Sequence, residues 1–261
     1  MLTRTLYPIF RRVDFRGKGR LRRVLPVPDR GSVVAGFPGG MRLRLDLRES
    51  LQRDFLFGLY DRVELGLVRG WLRSGGDFVD VGAHVGMYSV AAALALGGRG
   101  RVLAFEPNPG AREQLEANLA LNGCEGVIVS AAAVSDALGE TVLHVPATPD
   151  PSFSSLEAGR FAEGEPVAVE TTTVDAAVRE HGLRPAVVKI DVEGGELAVV
   201  AGMEETLSLR PALVVEVDPD SGAELERHLV ARDYRAYRVS RRLEPGLGSA
   251  TGLFNAAYLP R

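Results

Sequence analysis

Cysteine is nearly absent. Cys124 is the only one in 261 residues, which excludes an intramolecular disulfide and any multi-cysteine zinc cluster. Lysine is almost as scarce: of 31 basic residues only Lys18 and Lys189 are lysines, a bias we read as genomic rather than chemical. Neither sign of charge dominates, with 31 Lys and Arg against 34 Asp and Glu. Phosphate affinity comes from excess basic charge, so a wholesale nucleic-acid binder is disfavoured. Long apolar runs are missing too. The longest, AAALALGG (91–98), falls far short of the roughly 20 residues that span a bilayer. The opening MLTRTLYPIFRRVDF is interrupted by Arg4 and Pro8, and no small-residue cleavage site follows, so the expectation is a cytoplasmic protein. What remains is 46% hydrophobic and 25% charged, which excludes a disordered, collagen-like or coiled-coil chain. Glycine is plentiful at 30 residues, so where the glycines fall matters.

The chain divides into three stretches. Residues 1–24 form a basic extension carrying eight Arg and Lys with Asp14 the only acid among them. Such a tail reads first as a solvated extension and second as a contact for an anionic partner or surface. Residues 25–76 read as a small β-plus-helix addition. SVVAG and MRLRLDL flank the turn FPGG, Leu43, Leu45 and Leu47 alternate with charged residues, and a helical pattern covers 50–75. From 77 to 261 strand and helix alternate: DFVDVGA, RVLAFEP, GVIVSAAAV, AVVKIDVE and ALVVEVDP read as near-continuous apolar strands, with helical segments between most of them. ETVLHVP (140–146) is expected to pair with GVIVSAAAV, and ELAVVAGMEETLSLR to be a single helix. YRAYRVS and FNAAYLP have no helix between them and are expected to form an antiparallel edge hairpin. The pattern predicts an α/β fold, a doubly wound, mostly parallel sheet of about seven strands ending in that hairpin.

In such a sheet ligands sit at the carboxyl ends of strands, so strand-end residues carry the functional information. The first is Asp80-Val81-Gly82-Ala83-His84-Val85-Gly86. Its glycines let backbone approach a ligand, and the turn opens a helix. A dinucleotide fingerprint would place glycine where Ala83 stands. Asp80 would repel a pyrophosphate but favour a sulfonium or ammonium, so the sign of charge points to S-adenosylmethionine rather than NAD. Glu106 ends the second strand 20 residues after Gly86, where a carboxylate can accept both hydroxyls of a ribose. The fourth strand ends in KIDVEG, with Lys189, Asp191 and Glu193 at alternate positions and so on one face. Pairing or a ligand is expected there, because burying unpaired ions costs several kcal/mol each, roughly. Asp191 is the first candidate to take a proton from a substrate and Glu193 the second. No spacing suggests a tight metal site. His144, His181 and His228 read as ordinary surface or core histidines.

FVDVGAHVGMYSV, AFEPNP, NLALNG, AAVSD, SFSSL, TTTVD, VKIDVEGGE and VVEVDP, in that order, resemble the FkbM family of S-adenosylmethionine-dependent methyltransferases. The resemblance covers about residues 41–219 and extends to the upstream LRLDLRESLQRDFLFGLYD. It implies a Rossmann-like class I methyltransferase fold and O-methylation of a hydroxyl on a sugar, polyketide or other natural product. By position, Asp80, Gly82, Gly86 and Glu106 would hold the cofactor. The surrounding Ala83, His84, Tyr88, Ser89, Pro107 and Asn108 would line it, and Ala133 and Val134 would face its adenine. The family usually has Asn where this chain has His84. The expected partner is a small-molecule hydroxyl acceptor, with a homo-oligomer left open. An RNA substrate reached through the basic N-terminus, or a noncatalytic module that only binds the adenosine cofactor, are the alternatives.

Overall fold

The computed structural model describes residues 31–146, 164–192, 194–248 and 252–261. The Arg-rich extension, the SFSSL segment and Glu193 lie outside the described residues. The chain begins with a hairpin, β1 (Ser32–Gly36) and β2 (Arg42–Asp46), then α1 (Ser50–Phe57) and α2 (Arg62–Trp71). There follow β3 (Asp77–Val81), α3 (Met87–Leu96), β4 (Val102–Phe105), α4 (Pro109–Leu121), β5 (Ile128–Ser130), β6 (Ala133–Val134), β7 (Gly139–Pro146) and β8 (Gly164–Thr172). The last third holds α5 (Val174–Glu180), β9 (Pro185–Ile190), α6 (Glu196–Ala201), α7 (Glu204–Ser208), β10 (Ala212–Val217) and α8 (Pro219–Val230). It closes with β11 (Tyr234–Val239), β12 (Leu243–Pro245) and β13 (Phe254–Pro260).

Eight strands form the central sheet in the order β12-β11-β13-β10-β9-β3-β4-β5. The five from β10 to β5 are parallel, as their near-continuous apolar sequences predict. Alternate residues feed two cores. Val79, Val81, Val188, Ile190, Leu213 and Val215 pack with α5, α6, α7 and α8 on one face, while Phe78, Val187 and Val214 pack under α2 and α3 on the other. After β3 the chain winds outward to β4 and β5, and β9 then returns to the opposite side of β3. The carboxyl ends of β3 and β9 therefore flank the point where strand order reverses, where an open α/β sheet leaves its crevice.

The structure corrects four local expectations. β7 pairs not with β5 but with β8, a strand the sequence reading passed over, in a separate sheet of order β6-β8-β7. The last two segments do pair antiparallel, yet β13 is no edge: it inserts between β10 and β11, where Ala256, Ala257 and Tyr258 are wholly buried. The helix over 50–75 is two helices, separated by a left-handed Gly58 and a left-handed Asp61. The helix expected from Glu196 onward also breaks, at Gly202 and Met203.

The amino-terminal hairpin is held to the sheet by a ladder of amides. Gln114 and Asn118 on α4, and Asn122 at its carboxyl cap, recur every fourth residue and so share one face. Asn122 Oδ1 accepts from the Arg42 amide (2.8 Å) and its Nδ2 donates to the Arg42 carbonyl (2.6 Å). Asn118 Oδ1 accepts from the Arg44 amide (2.7 Å), and Gln114 donates to the Arg44 carbonyl (2.9 Å). These side chains satisfy the free edge of β2 as a neighbouring strand would. Leu43, Leu45 and Leu47 meanwhile enter a core shared with Val85, Met87, Leu115 and Leu119. Among the described residues no helix is long and apolar enough to cross a membrane.

Asn118 is wholly buried and also donates to the Val85 carbonyl at 2.8 Å, tying the hairpin to the turn after β3. Asn118→Ala leaves the Arg44 amide and the Val85 carbonyl without those partners. A loss of about 2–4 kcal/mol is expected from urea unfolding, and a loss under ~0.5 kcal/mol would show that water replaces the amide.

Candidate functional site

The site begins where β3 runs out. Gly82 has φ +79, and a Cβ there would stand 1.8 Å from the Asp191 carbonyl oxygen, so the turn passes over the end of β9 only because this residue has no side chain. His84 and Gly86 are also left-handed, at φ 49 and 88. Histidine and asparagine are among the residues that enter this region most readily, so the exchange of Asn for His at 84 preserves the turn. The amides of Gly82 and Ala83 donate to the Phe105 carbonyl (3.1 and 2.9 Å), which fastens the turn to β4.

Glu106 is the centre of this half of the site. Its Oε2 accepts from the His84 amide (2.7 Å) and its Oε1 from the Asn108 amide (2.9 Å). Burial raises its pKa, while His84 and the two amides pull it back. Each carboxylate oxygen has two lone pairs, so after one amide apiece both can still accept a hydroxyl. Beside it His84 lies with Nε2 3.6 Å from Glu49 Oε2, and its buried Nδ1 has no hydrogen-bond partner. An acceptor pair for two vicinal hydroxyls next to an orphaned ring nitrogen fits an adenosine cofactor.

Lys189 governs the other half. It is 5% exposed, with Asp191 Oδ2 at 2.9 Å, Asp80 Oδ1 at 4.0 Å and the Gly82 carbonyl accepting at 3.1 Å. Burial alone would depress its pKa, but Asp191 and Asp80 outweigh that and hold it raised, so it stays an ammonium. The ammonium also stands 5.0 Å from the Tyr88 ring centroid. Tyr88 in turn donates to Asp61 Oδ2 (2.7 Å), and Asn255 donates to Asp61 Oδ1 (3.0 Å) and Glu64 Oε1 (3.3 Å).

The structure thus brings Asp80, Gly82, His84, Glu106, Tyr88, Lys189 and Asp191 to one end of the sheet. Asp80 lies sealed beneath the turn and, like Ser89, has no exposure; the Ser89 hydroxyl donates to Asp80 Oδ2 at 2.6 Å. Asn108 caps α4, its Oδ1 accepting from the Gly110 and Ala111 amides, with Pro109 as the first helical residue. Ala83, Ala133 and Val134 are buried, the last two in β6. A cleft of 220 Å³ lined by Pro107, Arg112, Ala131 and Ala132 lies beside them. The sequence reading missed Asp61, Glu64 and Asn255. Asp61 and Asn255 lie 194 residues apart, and the only local signal was the helix break at Gly58–Asp61, which a continuous apolar period concealed.

A family model described as the methyltransferase FkbM domain matches residues 80–236. Among solved structures, the chain is similar to a methyltransferase FkbM from Methylobacillus flagellatus KT. Identity is 16%, the TM-score 0.48, and the match covers 79% of this chain and 52% of that one, so this chain spans about half its length. It is also similar to an O-methyltransferase from Bacillus cereus in complex with SAH (11% identity, TM-score 0.46, 77% of this chain and 82% of that one). A precorrin-6y C5,15-methyltransferase from Geobacter metallireducens GS-15 gives 15% identity and a TM-score of 0.45, covering 76% of this chain and 89% of that one. No curated protein sequence matches the chain.

The Asp61 carboxyl is pushed up to about 7, by burial first and by Glu64 second, against the hydrogen bond from Tyr88. The folded chain keeps that proton to near neutrality, whereas an unfolded aspartate loses it near 3.8. The proton's contribution to stability is therefore complete below that value and is lost as pH rises through about 7. Asp61→Asn keeps an oxygen for Tyr88 and removes the titration. Its urea midpoint is expected to gain on the wild type as pH rises from about 5 to about 8; parallel pH profiles would refute the assignment.

Proposed function

The chain belongs to the FkbM methyltransferase family, and from that membership we propose that it transfers the methyl group of S-adenosylmethionine to a hydroxyl of a small molecule, a sugar or another natural product. The fold is the Rossmann-like class I methyltransferase fold, and S-adenosylmethionine is the family's cofactor; when bound it supplies a methyl group on a sulfonium. The observation that carries the reading is Glu106, a buried carboxylate clamped by two amides at the strand end, each oxygen with room for one hydroxyl. Glu106 would hold the ribose. The turn 82–86 would lie under the methionine portion, with the His84 ring nitrogen taking a hydrogen bond from it. Pro107, Ala131 and Ala132 would flank the adenine.

Asp80 and Asp191, two carboxylates against the one ammonium of Lys189, leave the switch point net negative, so the field there suits a positively charged group. Lys189 orients Asp191 through the 2.9 Å ion pair on Oδ2. The Asp191 side chain keeps 21% exposure, and its other oxygen, Oδ1, is free to accept the acceptor's proton. A hydroxyl is a poor nucleophile until its proton is taken, so a base within hydrogen-bond reach is required. Asp191 is that base in this reading, with Glu193 two residues on as the second candidate. Fixing the acceptor oxygen in line with the methyl group supplies much of the remaining acceleration.

Two substitutions separate binding from chemistry. Glu106→Ala is expected to weaken S-adenosylhomocysteine by at least about tenfold in titration calorimetry, the loss of a charge-assisted pair of hydrogen bonds. Asp191→Asn is expected to keep that affinity within a few fold while turnover falls roughly 100-fold or more. Normal turnover in Asp191→Asn would move the base elsewhere, and tight binding of NAD in place of S-adenosylhomocysteine would overturn the reading itself.

A further inference from the structure

A cavity of 720 Å³ lies outside the strand-end site, between the β1–β2 turn, α1, α2 and α3. That is the size of a site for a drug-like molecule, and such sites are mostly apolar with a few placed polar groups. Its walls are apolar and aromatic, from Phe37, Phe55, Tyr60, Leu65, Met87 and Ala91. Among the described residues no carboxylate lines it, but Arg62 and Arg69 do.

The cavity is written into one face of α2. Arg62, Gly66 and Arg69, with Arg73 in the turn Leu72–Ser74 that continues the helix, follow one another at intervals of four, three and four residues, so they form a single stripe. Gly66 opens the wall between the arginines, since a Cβ there would meet nothing within 4 Å. A second hollow of 320 Å³ shares Gly66 and Arg69 and runs on to Arg73 and Ala95, which makes the whole depression elongated. Arg69 is anchored, donating to the Pro38 carbonyl at 2.9 Å. Arg62 and Arg73 are exposed and form no ion pair among the described residues. One anchored and two exposed guanidinium groups beside an apolar trough suit a carboxylate or phosphate on an apolar body.

The wall of the cavity at Phe55 abuts the strand-end site. Phe55 lines the cavity and stands edge-on to His84 with ring centroids 6.4 Å apart. Tyr60 immediately precedes Asp61, and Met87 immediately follows Gly86. We propose that this cavity seats the body of the methyl acceptor, and that the acceptor is an elongated apolar molecule bearing a carboxylate or phosphate received by the arginines of α2. The assignment rests on the methyl-transfer reading above.

Decanoate and decyl phosphate, titrated calorimetrically into the full chain, are the probes, with decanol as the uncharged control. One or both anions are expected to bind one-to-one and more tightly than decanol; which of them binds better names the anionic group. Gly66→Phe, whose ring would extend into the open space, is expected to abolish this binding and leave S-adenosylhomocysteine affinity unchanged. Arg62→Gln, at an exposed position with no ion pair among the described residues, is expected to weaken the anion by roughly tenfold. The proposal is overturned if the chain binds S-adenosylhomocysteine but neither anion, or if anion binding ignores both substitutions. A chain that takes the anions but not S-adenosylhomocysteine would instead overturn the methyl-transfer reading, and the acceptor's identity with it.

Discussion

The ammonium of Lys189, buried between Asp80 and Asp191, is the constraint on which the rest of the site depends. A lone ammonium in this place would cost several kcal/mol, roughly, and the wholly buried Asp80 alone would be as costly. Together they are tolerable only while β3 and β9 keep the register that sets Asp80 opposite Lys189. That register puts the Asp191 carbonyl against Gly82, and so decides the path of the turn that follows. The Gly82 carbonyl then returns to Lys189 as an acceptor, closing a loop of mutual dependence. One cation thereby orders two strand ends, a glycine turn and the Asp191 carboxylate.

The residues before β3 are not an appendage to this arrangement. Their backbone is received by three amides of α4, one of which also holds the Val85 carbonyl inside the turn. Their side chains reach the site from above: Glu49 toward His84, Asp61 toward Tyr88, and Glu64 toward Asn255. A change in the hairpin is therefore felt at the strand ends through a continuous set of hydrogen bonds and shared leucines. The carboxylates of Asp61 and Glu64, both raised by burial, show the same thing electrostatically, because they belong to the addition yet interact with the sheet.

Much of the fold was legible because burial on both faces writes near-continuous apolar strands, and because helices between them force parallel pairing. Gly82, Gly86 and Glu106 were legible for a different reason: a strand-to-helix turn needs glycine, and a strand-end carboxylate stands out against apolar neighbours. The misplaced strands have a common cause. Residues 164–172 alternate only weakly, and β7 resembles any half-buried strand, so nothing local says which partner it takes. The apolar period of 50–75 likewise continues through a break that depends on two left-handed residues.

The sequence alone therefore determined the α/β class, the winding of the central strands, the glycine turn after β3 and the identity of the charged row at 189–191. Each of these is a local consequence of periodicity, backbone freedom or alternation along a strand. Only the tertiary structure decided that β13 inserts between β10 and β11, that Asp61, Glu64 and Asn255 meet beside Tyr88, and that an arginine-edged cavity opens along α2. Those features join residues up to 194 positions apart. Hydrogen bonds, charge and excluded volume act through space, and a chain read in order carries no record of which distant surfaces they bring together.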